Sequence, residues 1–504
     1  MSNNLQRVTA IIIVLLAAFL AAQAVFSLQW PIAHDEAPLF YEAFLMQNGA
    51  VPYKDFFDFQ MPGSYAAYSL LGLLSNFGAV RIRVLDLAIL AALLFITYRA
   101  MFRFGRLSAF TAAILFGLKY LEGGPSLALQ REYLILIFIS FSIWIGVTDS
   151  LDFRKRLLLG LLYGAAAAIK PHAALGLVPF LLFDIADLKQ RRALSLPSLA
   201  KQILFPVAIG FAIPVVLVII YLTFTRSLAP LIAITRNYIP LYTQINGQLT
   251  VTPSAERTAY LLDQLWRLGG SGLWLIPAGL GIYLNRSRQT YLLASLAFIY
   301  ALYPALTGQF FPYHYIPFNY IIILVASLTL ASDHPSPNSH SPSFLFPLSS
   351  VILFITILFA IRPSQTFLRQ VEGREIVTST DRAVQISAFL AKHLEPGDHV
   401  QPLDWTGGSL LAMLETRVPI ATSYVFDFYF YHHVSKPYIQ SLRADFMDQL
   451  QTSQPRFIIE VRSDDKPWVS GADTSRDFPD LRAFLAAHYS VTMEREDYVI
   501  YERR

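Results

Sequence analysis

Trp30-Pro-Ile-Ala-His-Asp-Glu-Ala-Pro-Leu-Phe-Tyr41 follows directly on an apolar run from Val8 to Leu28, and Gly49-Ala-Val-Pro-Tyr-Lys-Asp-Phe-Phe-Asp-Phe-Gln-Met-Pro-Gly63 comes shortly after it. Four acids, Asp35, Glu36, Asp55 and Asp58, stand among aromatic side chains at the end of a segment long enough to cross a bilayer. A carboxylate beside an apolar phase is costly unless something offsets its charge. The plain structural reading makes Asp35 the cap of a helix beginning near Glu36, and Asp55 and Asp58 turn residues. Two adjacent acids flanked by His34 exceed what a cap needs, so Asp35 and Glu36 read as functional groups. For Asp55 and Asp58 both readings stay open.

The rest of the chain explains why such a loop would lie at a membrane. Of 504 residues, 55% are hydrophobic and only 15% charged, against about 25% charged in a soluble domain. Charge is sparse up to Ile361 and dense after it, which separates a membrane part, 1–362, from a soluble part, 363–504. The net charge of +4 comes with no basic block, which argues against a nucleic-acid partner. With no cysteine, disulfides, Cys-ligated zinc and thiol nucleophiles are excluded. Ala22-Gln23-Ala24 resembles a signal-peptidase site, but the run before it is long enough to be kept as a first span.

Eleven apolar segments read as transmembrane helices: 8–28, 82–102, 107–121, 132–149, 157–169, 172–186, 203–225, 271–285, 290–308, 316–331 and 344–361. Residues 65–79, within the first outer loop 29–81, read as an interfacial or re-entrant helix. With the N-terminus inside, the inner loops receive Arg103 and Arg106, Arg154 to Arg156, Lys189 with Arg191 and Arg192, and Arg286 with Arg288, as the positive-inside rule requires. The long loop 226–270 carries four arginines on the outside, against that trend. The expected fold is thus a polytopic α-helical membrane protein whose C-terminal α/β domain lies on the outer side. In that domain, periodicity places helices at 378–394, 408–415, 441–452 and 479–488, a buried strand from Arg456 to Val461 and a hairpin across Val491 to Tyr501. It has no Gly-rich phosphate loop or nucleophile elbow, so its default role is docking or structure. Ser332 to Ser343 reads as a polar linker.

An Asp-Glu pair after the first span, then Gly-x-x-Pro-Tyr-x-Asp, then Pro-Gly before an interfacial helix, resembles the GT-C superfamily of membrane glycosyltransferases. Within it, the pattern is similar to bacterial members related to protein mannosyltransferases and aminoarabinose transferases. The resemblance extends through Arg131-Glu132, Lys170-Pro171 and Pro312-Tyr-His-Tyr315 and covers the membrane part; the soluble domain matches in position and style. Many relatives carry Lys-Pro-Pro-Gly where this chain has Gln60-Met61-Pro62-Gly63, so a basic residue able to meet a phosphate is missing there.

The resemblance implies transfer of a sugar from a polyprenyl-phosphate donor to a lipid, glycan or protein acceptor, in a multi-pass bacterial inner-membrane enzyme. It puts the general base on Asp35, with Glu36 as helper. A hydroxyl acceptor needs a base within hydrogen-bond reach, and an oxocarbenium-like transition state gains from a nearby carboxylate. The lipid phosphate needs cations or donors to depart. Arg131, Lys170, His172 and His314 qualify, each at the outer end of a span, with Tyr313, Asp55, Asp58 and Glu132 as further substrate contacts; Arg236 and Tyr238 are weaker candidates for the lipid path. The structural alternatives are an ion pair of Arg131 with Glu122 or Glu132, and snorkelling by Lys170. Some members of the family use Mg2+ or Mn2+, for which Asp35, Glu36 and Glu132 are the candidate ligands; the sequence leaves the metal open. Two other functions compete: a transporter or flippase of lipid-linked sugars, which would favour two related halves and broken mid-membrane helices, and a non-catalytic glycan-binding scaffold.

Overall fold

The computed structural model describes residues 3–148, 151–192, 195–331, 345–374, 380–462 and 469–504. Every one of the eleven expected segments is helical in it, from Asn3–Ser27 at the N-terminus to Leu345–Ala360 before the soluble part. Among the described residues, five helices are long and apolar enough to cross a membrane unaided, and a sixth if Pro347–Ala360 and Gln365–Val371, bent by 73°, form one span. The others are shorter or carry charge. Ala79–Met101, for instance, holds the buried Arg83 and Asp86. The linker expected at 332–343 lies outside the described residues.

Burial separates the helices into two kinds. Pro312–Leu330 is 94% buried and forms the centre of the bundle, whereas Leu196–Phe224 is 22% buried. The latter leaves Val216, Leu217, Ile220 and Phe224 exposed. A helix apolar all round and uncovered by protein is suited to lipid. It crosses Phe153–Ile169 at close range because glycines line the contact: a Cβ on Gly160 would strike the Val207 carbonyl, and one on Gly210 the Leu157 carbonyl. Small residues at such crossings are what membrane helix packing demands.

The segment after the first apolar helix folds into Glu36–Gln47 and Pro62–Ser75. The second of these exposes Leu70, Leu73 and Leu74 on one side, as expected of a helix at the membrane boundary. The long loop 226–270 is not a loop: Leu228–Asn237, Ile239–Tyr242 and Ser254–Arg267 are helical.

The C-terminal part builds a four-stranded sheet, in the order β1 (Val400–Leu403), β2 (Phe457–Val461), β4 (Tyr498–Arg503), β3 (Tyr489–Glu494). β1 and β2 run parallel; β4 is antiparallel to both β2 and β3. Helices Thr380–His393, Ser409–Thr416, Pro437–Ser453 and Pro479–His488 match the expected ones. β1 was not expected, being short and holding Pro402, a residue tolerated only where a strand has a free edge. This part docks on the segment between the first apolar helix and Ala79–Met101. Tyr41 Oη donates to the Val418 carbonyl at 2.9 Å, Phe57 N to the Ser423 carbonyl at 2.7 Å, and the Arg417 guanidinium lies over the rings of Phe44 and Phe77.

Candidate active site

The helix Glu36–Gln47 starts at Asp35, yet the Asp35 side chain makes no capping hydrogen bond. It turns instead toward the arginine that opens the short helix Arg131–Leu134: Arg131 Nη2 donates to Asp35 Oδ2 at 3.3 Å, and His34 Nδ1 lies 3.0 Å from Oδ1. Asp35 is 5% exposed. Burial alone would raise its pKa, but His34, then Arg131 and Lys170, outweigh it and hold the carboxyl well below its ordinary value. The group stays ionised.

Beside this pair sits a second. Glu132 is fully buried, with Lys170 Nζ 3.1 Å and His314 Nε2 3.8 Å from its Oε1, to which Tyr303 Oη also donates at 3.2 Å. His314 Nδ1 meets Thr307 Oγ1 at 3.0 Å. His172 is half-buried, its ring 5.9 Å from that of Tyr303. Arg131, whose Nε meets no hydrogen-bond acceptor, also lies 5.9 Å over the Tyr313 ring. The fold thus brings Asp35, Arg131, Glu132, Lys170, Tyr313 and His314 to one place, from segments spread over the membrane part.

The other candidates fall elsewhere. Glu36 forms a two-pronged pair with Arg83, one arm at 2.6 Å, and accepts from Ala33 N at 3.2 Å. That arrangement is structural, and Glu36 is not among the residues that line the cavity described below. Asp55 accepts from Val51 N at 2.8 Å and is a turn residue, on a separate cleft. The structural alternative for Arg131 takes another form: it pairs with Asp35, while Glu122 pairs with Lys119 and Glu132 with Lys170. Arg236 is exposed, and Tyr238 is buried against Phe57 and Tyr429.

Asp58 does reach the site. It is fully buried and accepts from Tyr65 Oη at 2.7 Å and Tyr429 Oη at 3.1 Å. Behind it lies Glu42, also fully buried, whose two oxygens meet no hydrogen-bond donor. Burial raises the pKa of both acids, and Asp58 raises that of Glu42 further. Glu42 escaped the sequence reading; its one signal is an acid in the middle of the otherwise apolar stretch Ala37–Met46.

Asp35, Asp58, Arg131 and Tyr313 line a narrow cavity of about 30 Å3; Trp405 and Phe428 of the C-terminal part close its other wall. Trp405 had no signal in the sequence beyond that of a turn. The acids considered for a divalent cation do not fit one. Asp35, Glu36 and Glu132 each face a different basic side chain, and among the described residues no three His, Asp or Glu side chains gather as metal ligands. Chemically, the site holds an ionised carboxylate in reach of a buried cation pair, inside a space walled by aromatic rings.

No family model matches the sequence, and no curated protein does. Solved structures do share the fold. ArnT from Cupriavidus metallidurans bound to undecaprenyl phosphate superposes with a TM-score of 0.58 at 14% identity over 97% of each chain. The apo state of that protein gives 0.56 at 12% identity over 98% of each. The oligosaccharyltransferase AglB from Archaeoglobus fulgidus, in complex with an inhibitory peptide and a dolichol-phosphate, is more distant, at 0.46 and 10% identity over 88% of this chain and 69% of that one. The ArnT likeness covers nearly the whole chain, membrane bundle and C-terminal sheet alike, and shows a shared fold.

Proposed function

We propose that this chain is a glycosyltransferase that moves a sugar from a polyprenyl-phosphate donor to an acceptor hydroxyl at the outer face of a bacterial inner membrane. The observation that carries this reading is the ionised Asp35 carboxylate, held beside the buried Arg131 in a cavity at the end of the first span. The likeness to a structure with undecaprenyl phosphate bound supports the choice of donor class.

In this mechanism Asp35 takes the proton of the acceptor hydroxyl as its oxygen attacks the anomeric carbon. The bond from that carbon to the phosphate oxygen breaks on the opposite face, so configuration inverts and no covalent intermediate forms. The lipid phosphate leaves with the electron pair, and Arg131 and Lys170 meet its charge. In the resting protein these cations are answered by Asp35 and Glu132; an arriving phosphate competes with those carboxylates for them. The acid pairs thereby keep a buried cation site intact when empty, since an unpaired buried cation is strongly destabilising. His314 and His172 stand behind Lys170 as further donors to the phosphate, and Tyr313 as a contact to the sugar.

The topology belongs to the same proposal. The N-terminus is cytoplasmic, residues 1–362 form the catalytic membrane domain, and residues 363–504 form an extracytoplasmic domain. The acceptor is a lipid, a glycan or a protein.

The test is to incubate purified protein with undecaprenyl phosphates carrying arabinose, glucose or mannose and to follow released lipid phosphate by mass spectrometry. The parent releases it with at least one donor in the presence of an acceptor. Asp35→Asn, whose amide oxygen still accepts from Arg131, elutes as the parent does on size exclusion but transfers at least about 100-fold more slowly, the span of one general base. Transfer by the Asn variant at the parental rate would remove the assigned base.

A further inference from the structure

The C-terminal part had no assigned chemistry, yet it supplies Trp405 and Phe428 to the cavity that holds Asp35 and Arg131. Trp405 is only half-buried, with its ring 4.8 Å from that of Phe428 at an angle of 47°. It stands on a turn built around one carboxylate. Asp404, 1% exposed, accepts from the backbone N–H groups of Trp405 at 2.6 Å, Gly407 at 2.9 Å and Ser409 at 3.0 Å, and from Ser409 Oγ at 2.6 Å. Four donors on one buried acid make a rigid mount. Gly407 completes it, because a Cβ there would come within 2.6 Å of the Asp404 oxygen. A large ring on so rigid a mount, left half-open in a cavity that has charged groups on its far side, is arranged to meet a ligand with one apolar face and one polar edge.

A sugar ring is such a ligand. Its axial C–H groups form an apolar face that packs on an indole, while its hydroxyls point outward to carboxylates and cations. We infer that Trp405 is the stacking platform for the transferring sugar, so that the C-terminal part binds the sugar of the donor while the membrane part binds its phosphate. This rests on the proposed donor class. It makes residues 363–504 part of the substrate site rather than a separate module, with Phe428 setting the tilt of the indole.

The experiment compares binding of undecaprenyl phosphate with binding of its tightest-held glycosylated form, among arabinose, glucose and mannose, by native mass spectrometry in detergent. The parent binds the glycosylated lipid more tightly. In Trp405→Ala this preference falls about ten-fold, with affinity for the sugar-free lipid unchanged; Trp405→Phe, which keeps a stacking face, restores most of it. In transfer assays the same loss falls on the KM for the donor more than on kcat. An Ala variant that keeps the preference overturns the inference, as does one that loses both lipids equally while retaining the parental melting temperature. A parent that binds the two lipids alike overturns it too. Absence of transfer alongside an intact, Trp405-dependent preference would instead strike the proposed reaction and leave the platform standing.

Discussion

Glu42 and Asp58 show how a buried carboxyl pair settles its charge. No donor faces Glu42, whereas Asp58 takes the hydrogen bonds of Tyr65 and Tyr429. Because folding raises both pKa values, the pair's contribution to stability is complete below the ordinary carboxylate range and is lost as pH rises above it. The melting temperature in detergent should therefore decline as pH rises from acid toward neutral and beyond. Glu42→Gln, which keeps a donor without the titration, should flatten that decline. Asp35 behaves in the opposite sense. Burial opposes its ionisation, but His34 and Arg131 keep it charged, so transfer by the parent should hold its level down to about pH 4, the ordinary carboxylate value. His34→Ala removes the largest favourable charge and should move the acid limb of the rate profile to higher pH. Glu36 is separable from both. Its pairing with Arg83 is buried, and breaking such a pair costs about 3–5 kcal/mol, so Glu36→Gln should lower the melting temperature while the Asp35 carboxylate stays in place. The Asp-Glu pair was legible as a pair of unusual acids. The division of labour between them was not, because it depends on Arg83, forty-odd positions downstream, and on Arg131.

At the scale of elements, apolar length alone located eleven helical segments and the helix Pro62–Ser75, and periodicity located the four helices and the hairpin of the C-terminal sheet. What stayed hidden were elements whose sequence carries no period. β1 holds a proline and only four residues, and the helices of 226–270 mix arginines with short apolar runs that resemble a loop. Contacts between elements were equally silent, since a glycine in an apolar helix gives no sign of what it faces. Gly63 shows this. A Cβ there would come within 2.6 Å of the Ala168 backbone, at the end of the helix that leads into Lys170. Gly63→Ala should push Pro62–Ser75 off that helix end and misplace the Lys170 ammonium. The expected result is a donor affinity reduced several-fold in the same native mass-spectrometry measurement, with the protein still monodisperse. Gly160→Leu, at the Val207 crossing, should instead prevent the two lipid-facing helices from packing and be seen as loss of folded protein after extraction.

For the whole molecule, the asymmetry of lysine and arginine gave an orientation that the arrangement of helices does not by itself supply. The cysteine-free sequence makes this directly measurable. Lys54→Cys should react with a membrane-impermeant maleimide on intact spheroplasts, since its side chain is about half exposed. Arg191→Cys, also exposed, should react only after permeabilisation. The opposite labelling pattern would place the first loop inside and remove the proposed outward-facing chemistry. The helical membrane class was readable from one sequence, and so were Asp35, Asp58, Arg131 and Tyr313, which the fold brings to one cavity. The closing wall was not, because it comes from a segment more than 300 positions away from Asp35.

That separation governs how the protein comes into being. Tyr41 is joined to Val418 across 377 positions, and Asp58 to Tyr429 across 371. The first loop leaves the ribosome early, and its partners are made near the end. Until they arrive, the acids and aromatic rings of residues 30–63 stand without the groups that later shield them. Contacts so distant along the chain are slow to form and leave a long interval of exposure. A nascent chain interrupted before residue 400 therefore lacks the wall that closes the cavity.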